Sequence, residues 1–119
     1  MERVAGIGGV FFRGKEHEQL REWYSNALGI ELEDYGGRAF QAESGEVTVW
    51  SIFPGDTDYF PAQQQGMVNY RVADLDAMLE QLRAAGATVD DRIEQHEYGR
   101  FGWASDPEGN RFEPWQPPT

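Results

Sequence analysis

Two stretches of the chain repeat apolar residues with the helical period. From Lys15 onward, Leu20, Trp23, Tyr24, Ala27 and Leu28 fall on one stripe, and Gly29 follows where a left-handed C-terminal cap is wanted. After Asp74, a good N-cap, Leu75, Met78, Leu79 and Leu82 form a second stripe that stops before Gly86. The remaining apolar positions sit in short runs bounded by turn residues, which predicts strands over residues 4–13, 31–35, 38–42 and 46–53 around the first helix. Around the second, the predicted strands are 66–72, 88–95, 98–105 and 110–115. Gly36-Gly37, Ser44-Gly45 and Asp106-Pro107-Glu108-Gly109 supply the tight turns, the last because Pro presets φ and Gly accepts a positive one.

The resulting string is β-α-β-β-β written twice, with Leu28-Gly29 recurring as Ala85-Gly86. An internal duplication is the economical reading: a first module over 1–53, a Pro-, Gly-, Asp- and Gln-rich connector over 54–66, and a second module over 67–116, in one domain spanning 1–119. Each module alone covers only one face of a four-stranded sheet. The two are therefore expected to share a core in an α+β fold, two tandem βαβββ modules forming a curved eight-stranded cup with the helices outside.

Composition narrows the function classes. The 119 residues carry 10 basic and 21 acidic side chains, a formal charge of −11, and no cysteine. An acidic chain without a Lys/Arg cluster disfavours a phosphate-backbone partner, so no nucleic acid is expected. The absence of cysteine removes disulfides, thiolate nucleophiles and Cys-based metal sites, and a reducing cytoplasm is the expected location. No apolar run approaches the roughly 18 residues of a membrane-spanning helix. The interrupted run at residues 4–12 reads as a strand, not a signal peptide.

Three segments, WYSNALGIEL (23–32), VADLDAMLEQLRAAGATV (72–89) and YGRFGWASDPEGNRFEPW (98–115), resemble the vicinal oxygen chelate superfamily. That group includes glyoxalase I, extradiol dioxygenases and the bleomycin- and fosfomycin-resistance proteins. The Asp106 to Asn110 turn followed by a strand carrying Glu113 is the most specific match. Metal-using members point one His, Glu or Gln from the first and last strand of each module into the cup. The resemblance places Gly9, Trp50, Met67 and Glu113 at those four positions. Glycine has no donor atom, indole offers only an N–H, and a thioether suits Cu(I). One carboxylate alone does not hold a divalent ion, so no metal and no cofactor is expected. His17 reads as part of a solvated helix start and His96 as a turn or strand end; neither matches a ligand position.

If those four positions face the cup, strand alternation adds Ile7, Phe11, Thr48, Ile52, Asn69, Arg71, Arg111 and Trp115 to its lining. Val10, Phe12, Val47, Val49, Phe53, Val68, Tyr70, Val72 and Phe112 then lie beneath the helices. Glu113 is the expected catalytic or charge-bearing residue. Phe11, Thr48, Trp50, Met67, Asn69, Arg100, Arg111 and Trp115 are the expected ligand contacts. A carboxylate among apolar walls needs a partner, and Arg111, Asn69, Arg71, Arg100 or a ligand is expected to provide it.

Three functions follow from the resemblance. In the first, the protein binds a small organic molecule without a metal, as bleomycin-resistance proteins do, with Glu113 meeting a cationic or hydrogen-bond-donating group. In the second, it is a lyase or isomerase that uses Glu113 as a general base. In the third, it is a non-catalytic dimerising module with a filled cup, in which Tyr59-Phe60-Pro61 covers an opening or a partner. A homodimer is expected from the resemblance.

Overall fold

Both amphipathic stripes become helices in the computed structural model, which describes residues 1–119. The elements in chain order are β1 (Val4–Gly14), α1 (His17–Leu28), β2 (Gly37–Gln41), β3 (Val47–Pro54), β4 (Gly66–Val72), α2 (Leu75–Ala84), β5 (Thr88–Val89), β6 (Glu94–His96), β7 (Gly99–Phe101), β8 (Ala104–Ser105) and β9 (Arg111–Gln116). The fold is mixed α+β, as expected. The chain divides into two compact units, residues 9–66 and residues 1–8 together with 67–119.

In the 9–66 unit the strand order is β2-β3-β1. β1 and β3 are parallel with Val10 opposite Trp50, Phe11 opposite Ser51 and Phe12 opposite Ile52. Residues paired in this way share a face. Phe12 and Trp50 meet Tyr24 of α1 at ring separations of 5.8 and 5.2 Å, so this is the helix-covered face. On the opposite face Phe11 lies 5.4 Å from Phe53, and Phe53 in turn meets Tyr59 and Phe60. The connector is thus folded back onto its own sheet. α1 is lightly anchored, with no fully buried residue, and Trp23 and Leu28 remain 58% and 64% exposed.

The connector is pinned by one side chain. All five N–H groups of the Arg13 guanidinium find backbone carbonyls, those of Gln64, Gly55, Thr57, Phe60 and Pro61, at 2.7–3.3 Å. The cation also lies 4.7 Å over the ring of buried Phe60.

Residues 31–35 do not form the predicted strand. Glu33 instead closes a local loop: its N–H bonds the Gly37 carbonyl, its carbonyl accepts from Gly36, and its carboxylate accepts from Ala39 N–H and the Tyr35 hydroxyl. The first repeat is therefore βαββ, one strand short of the expected βαβββ.

In the other unit β4 and β9 are parallel, with Asn69 opposite Glu113, and β7 and β6 continue the sheet beyond β9. Asp74 caps α2 by accepting from Ala77 N–H at 3.0 Å, and Leu75, Met78 and Leu79 join Val72 in a buried cluster. The two long strands predicted over 88–95 and 98–105 are each broken. Asp90 leaves the first to bond the Trp103 carbonyl through its N–H, and Gly102 leaves the second to donate to the Pro114 carbonyl. A Cβ on Gly102 would lie 3.0 Å from Leu79 Cδ2, so the chain passes close to the α2 cluster here. β9 continues through Pro114 to Gln116, where the predicted strand stopped at Trp115.

Arg13→Lys keeps a charge but not the planar five-donor fork. It is expected to lower unfolding free energy by about 2 kcal/mol in urea titrations, the scale of lost hydrogen bonds to a charged group. An unchanged urea midpoint would show that the connector holds itself.

Candidate functional site

Glu113 sits in the middle of β9 and is 1% exposed. A carboxylate so far from water must be met by donors. Asn69 Nδ2 donates to Oε1 at 2.7 Å, and Trp103 Nε1 donates to Oε2 at 2.8 Å. The opposition of Asn69 and Glu113 across the parallel β4–β9 pair supplies the first donor directly. The strand break at Gly102 delivers the second, by leaving Trp103 between β7 and β8 with its indole fully enclosed. Arg92 lies 4.6 Å over that indole, and Arg111, paired with both oxygens of Asp90 at 3.1 and 2.9 Å, lies 5.8 Å from it. Two cations therefore flank the face of the ring whose edge N–H holds the acid.

The Asn69 amide is spent on one side only. Its Oδ1 is buried and has no hydrogen-bond partner. That oxygen lies in the space a side chain at Gly8 would take: a Cβ there would be 2.0 Å from Oδ1 and 2.7 Å from Trp115 Cε3. A Cβ on Gly6 would likewise meet Arg71, which reaches back to the Ile7 carbonyl at 3.2 Å. Gly8 and Gly6 of β1 thus face Asn69 and Arg71 respectively, and Ile7, expected in the cup, is exposed on the strand.

The structure brings together Met67, Asn69, Glu113 and Trp115, all buried in the 1–8/67–119 unit. Trp115 stacks on Phe101 at 6.0 Å and donates its N–H to the Tyr98 carbonyl at 2.9 Å. Arg111 joins the group through Trp103 and Asp90. Arg100 does not. It lies on the opposite parity to Phe101, and its guanidinium pairs with Asp76 of α2 at 3.0 and 3.2 Å, which holds that carboxyl below its ordinary value of 3.8.

Phe11, Thr48 and Trp50 belong to the 9–66 unit. Phe11 is buried against Phe53, but Thr48 and Trp50 do not share its face. The expectation placed Gly9 alongside Trp50, whereas β1 pairs Gly9 with Val49, a one-residue slip that turns Thr48, Trp50 and Ile52 to the helix side and Phe53 away from it.

Two residues escaped the sequence reading. Trp103 shares the parity of Phe101, so alternation carried along the strand predicted at 98–105 would have aimed both at the face of Glu113. His17, read as solvated, is half-buried and lines a cavity of about 690 Å³ with Arg13, Lys15, Gly55, Asp56 and Gln65. His96 bonds Glu94 at 3.0 Å and stacks on Tyr98 at 4.9 Å.

Gly8→Ala is expected to cost about 1–3 kcal/mol, as overpacking does. Part of that cost should vanish in an Asn69→Ala background, where the clashing oxygen is gone while the 2.7 Å approach to Trp115 remains. Denaturant unfolding of the two single variants and the double variant reads this, and strictly additive losses would contradict the crowding of Asn69 against Gly8.

By sequence, residues 9–113 match the glyoxalase-like domain family. Among curated proteins none matches the chain. Solved structures with the same fold include methylmalonyl-CoA epimerase from Mycobacterium tuberculosis, with 23% identity and a TM-score of 0.67, covering 98% of this chain and 90% of that one. A Streptomyces coelicolor methylmalonyl-CoA epimerase variant in complex with 2-nitronate-propionyl-CoA reaches a TM-score of 0.72 at 17% identity, over 98% and 100% of the two chains. The Mn(II)-bound glyoxalase from Novosphingobium aromaticivorans gives 0.67 at 19% identity, over 98% of this chain and 40% of that one. The strand register, the Asp106 turn with Glu113 beyond it, and the match over residues 9–113 lead to one assignment: the chain belongs to the glyoxalase-like domain family of the vicinal oxygen chelate superfamily.

Proposed function

We propose that this protein binds a small organic molecule without a metal ion, using the buried group around Asn69, Glu113, Met67 and Trp115. The observation that carries the reading is the state of Glu113: each carboxylate oxygen already accepts an N–H from the protein. The other positions that the superfamily resemblance assigns to metal ligands hold Gly9, Trp50 and Met67. No three His, Cys, Asp or Glu side chains come together anywhere in the chain. These residues do not fit a divalent ion, which requires about three or more protein ligands.

The same geometry weighs against Glu113 as a general base. Proton abstraction requires an oxygen lone pair free for the substrate, and both oxygens of Glu113 are engaged by Asn69 and Trp103. Asn69 Oδ1 is the acceptor left open, and an orphaned buried acceptor carries a penalty of about 1–3 kcal/mol that a ligand donor would relieve. The ligand class that fits is an aromatic or apolar body bearing an N–H, O–H or ammonium group, and the net charge of −11 favours approach of a cation. Phe11, Thr48, Trp50 and Arg100 stand outside this contact set, and Arg111 borders it through Trp103. A homodimer in a reducing cytoplasm completes the proposal.

Equilibrium dialysis of the EDTA-treated chain against a panel of cationic and aromatic compounds tests it. At least one compound is expected to bind at millimolar affinity or tighter, with the affinity unchanged by EDTA and reduced about tenfold or more in a folded Asn69→Ser variant. Stoichiometric Ni, Zn, Fe or Mn in the purified chain, with binding lost on chelation, would overturn it.

A further inference from the structure

The cavity in the 9–66 unit is separate from the Glu113 group and has the opposite electrical character. Its side chains are Arg13, Lys15, His17, Asp56 and Gln65, with Gly55 completing the wall. That places two permanent cations and an imidazole around one carboxylate, in a chain whose net charge is −11.

Five arginines are matched to acids: Arg38 with Glu31, Arg83 with Glu80, Arg92 with Glu94, Arg100 with Asp76 and Arg111 with Asp90. Arg13 is not. Its five N–H groups are held by carbonyls, which orient the guanidinium and satisfy its donors but cancel none of its unit charge. Lys15, the only lysine in the sequence, is exposed at the rim and enters no ion pair. The amide N–H of Gln65 is committed to the Arg13 carbonyl at 3.0 Å, which fixes the wall from the connector side.

We propose that this cavity binds a phosphorylated small molecule. Arg13 contributes a fixed positive field, and Lys15 and His17 contribute the donors that contact the phosphate. A lysine ammonium serves phosphate well as a compact point charge with rotatable donors. The volume of about 690 Å³ lies in the range of small-molecule sites and far exceeds a bare oxyanion, so the phosphate carries an organic body. Asp56 opposes the anion from the other wall and weakens its binding.

The test is a backbone amide NMR titration of the full chain at constant ionic strength, with phenyl phosphate and inorganic phosphate as separate probes. Phenyl phosphate is expected to give saturable shifts at Lys15, His17, Gly55 and Asp56 below about 10 mM, with inorganic phosphate several-fold weaker. Lys15→Gln combined with His17→Gln should weaken phenyl phosphate about tenfold or more without moving the thermal midpoint, while Asp56→Asn should tighten it. Absence of saturable shifts, equal response to matched chloride, or an affinity unmoved by these variants would overturn the site. Equal affinity for the two probes would overturn the claim of an organic body. None of these outcomes depends on ligand binding at Asn69 or on Glu113.

Discussion

A single carboxylate removed from water organises half of this protein. Isolated burial of an ionised acid costs several kcal/mol or more, and it persists only where donors surround it. Glu113 obtains one from the neighbouring strand, by the opposition of Asn69, and one from a deliberate strand break, by the inward turn of Trp103. The rest follows from those two contacts. Gly8 must lack a side chain for Asn69 to lie where it does, and at Gly102 the chain turns closely past Leu79. The cations of Arg92 and Arg111 sit against the indole that delivers the second donor.

The 9–66 unit solves a related problem with the sign reversed. Arg13 is a cation satisfied almost entirely by main-chain carbonyls, and the segment it gathers is the connector that packs Phe60 onto Phe53. In both units one charged side chain collects polar groups that a folded chain otherwise leaves unpaired. Related folds carry out different chemistries, so the scaffold leaves function to the side chains at these places. Here the superfamily position that survives as an acid is occupied by internal hydrogen bonds.

Much of this was legible in the sequence. The helices were readable because stripe, cap and stop agreed: Asp74 caps α2 and Gly29 takes a φ of 68° after α1. The Asp106 turn forms as its residues predict, with Asp106 accepting from the N–H groups of Glu108 and Asn110. Glu113 was legible through the superfamily resemblance, and Asn69, one of several expected partners, by alternation from Met67. Register was not legible, because a parallel pair is set by packing at both ends, and one residue of slip sent Trp50 and Thr48 to the helix face. Residues 31–35 fall between turn signals where a strand is expected, yet Glu33 closes them into a local loop. Trp103 lies at the break between β7 and β8, which the apolar composition of residues 98–105 does not mark. The order of the connector was not legible from its composition, because the side chain that supplies it, Arg13, lies 42 to 51 positions away from the carbonyls it holds.

The indole N–H of Trp103 reports directly on the claim that Glu113 belongs to the protein's own donors. Measured by native-state hydrogen exchange, with Trp23 as the exposed internal reference, that proton is expected to exchange only through global unfolding and to track the stability of the whole chain in denaturant. Exchange of Trp103 as fast as Trp23 under native conditions would mean that the carboxylate is not held as described, and the account built on it would fail.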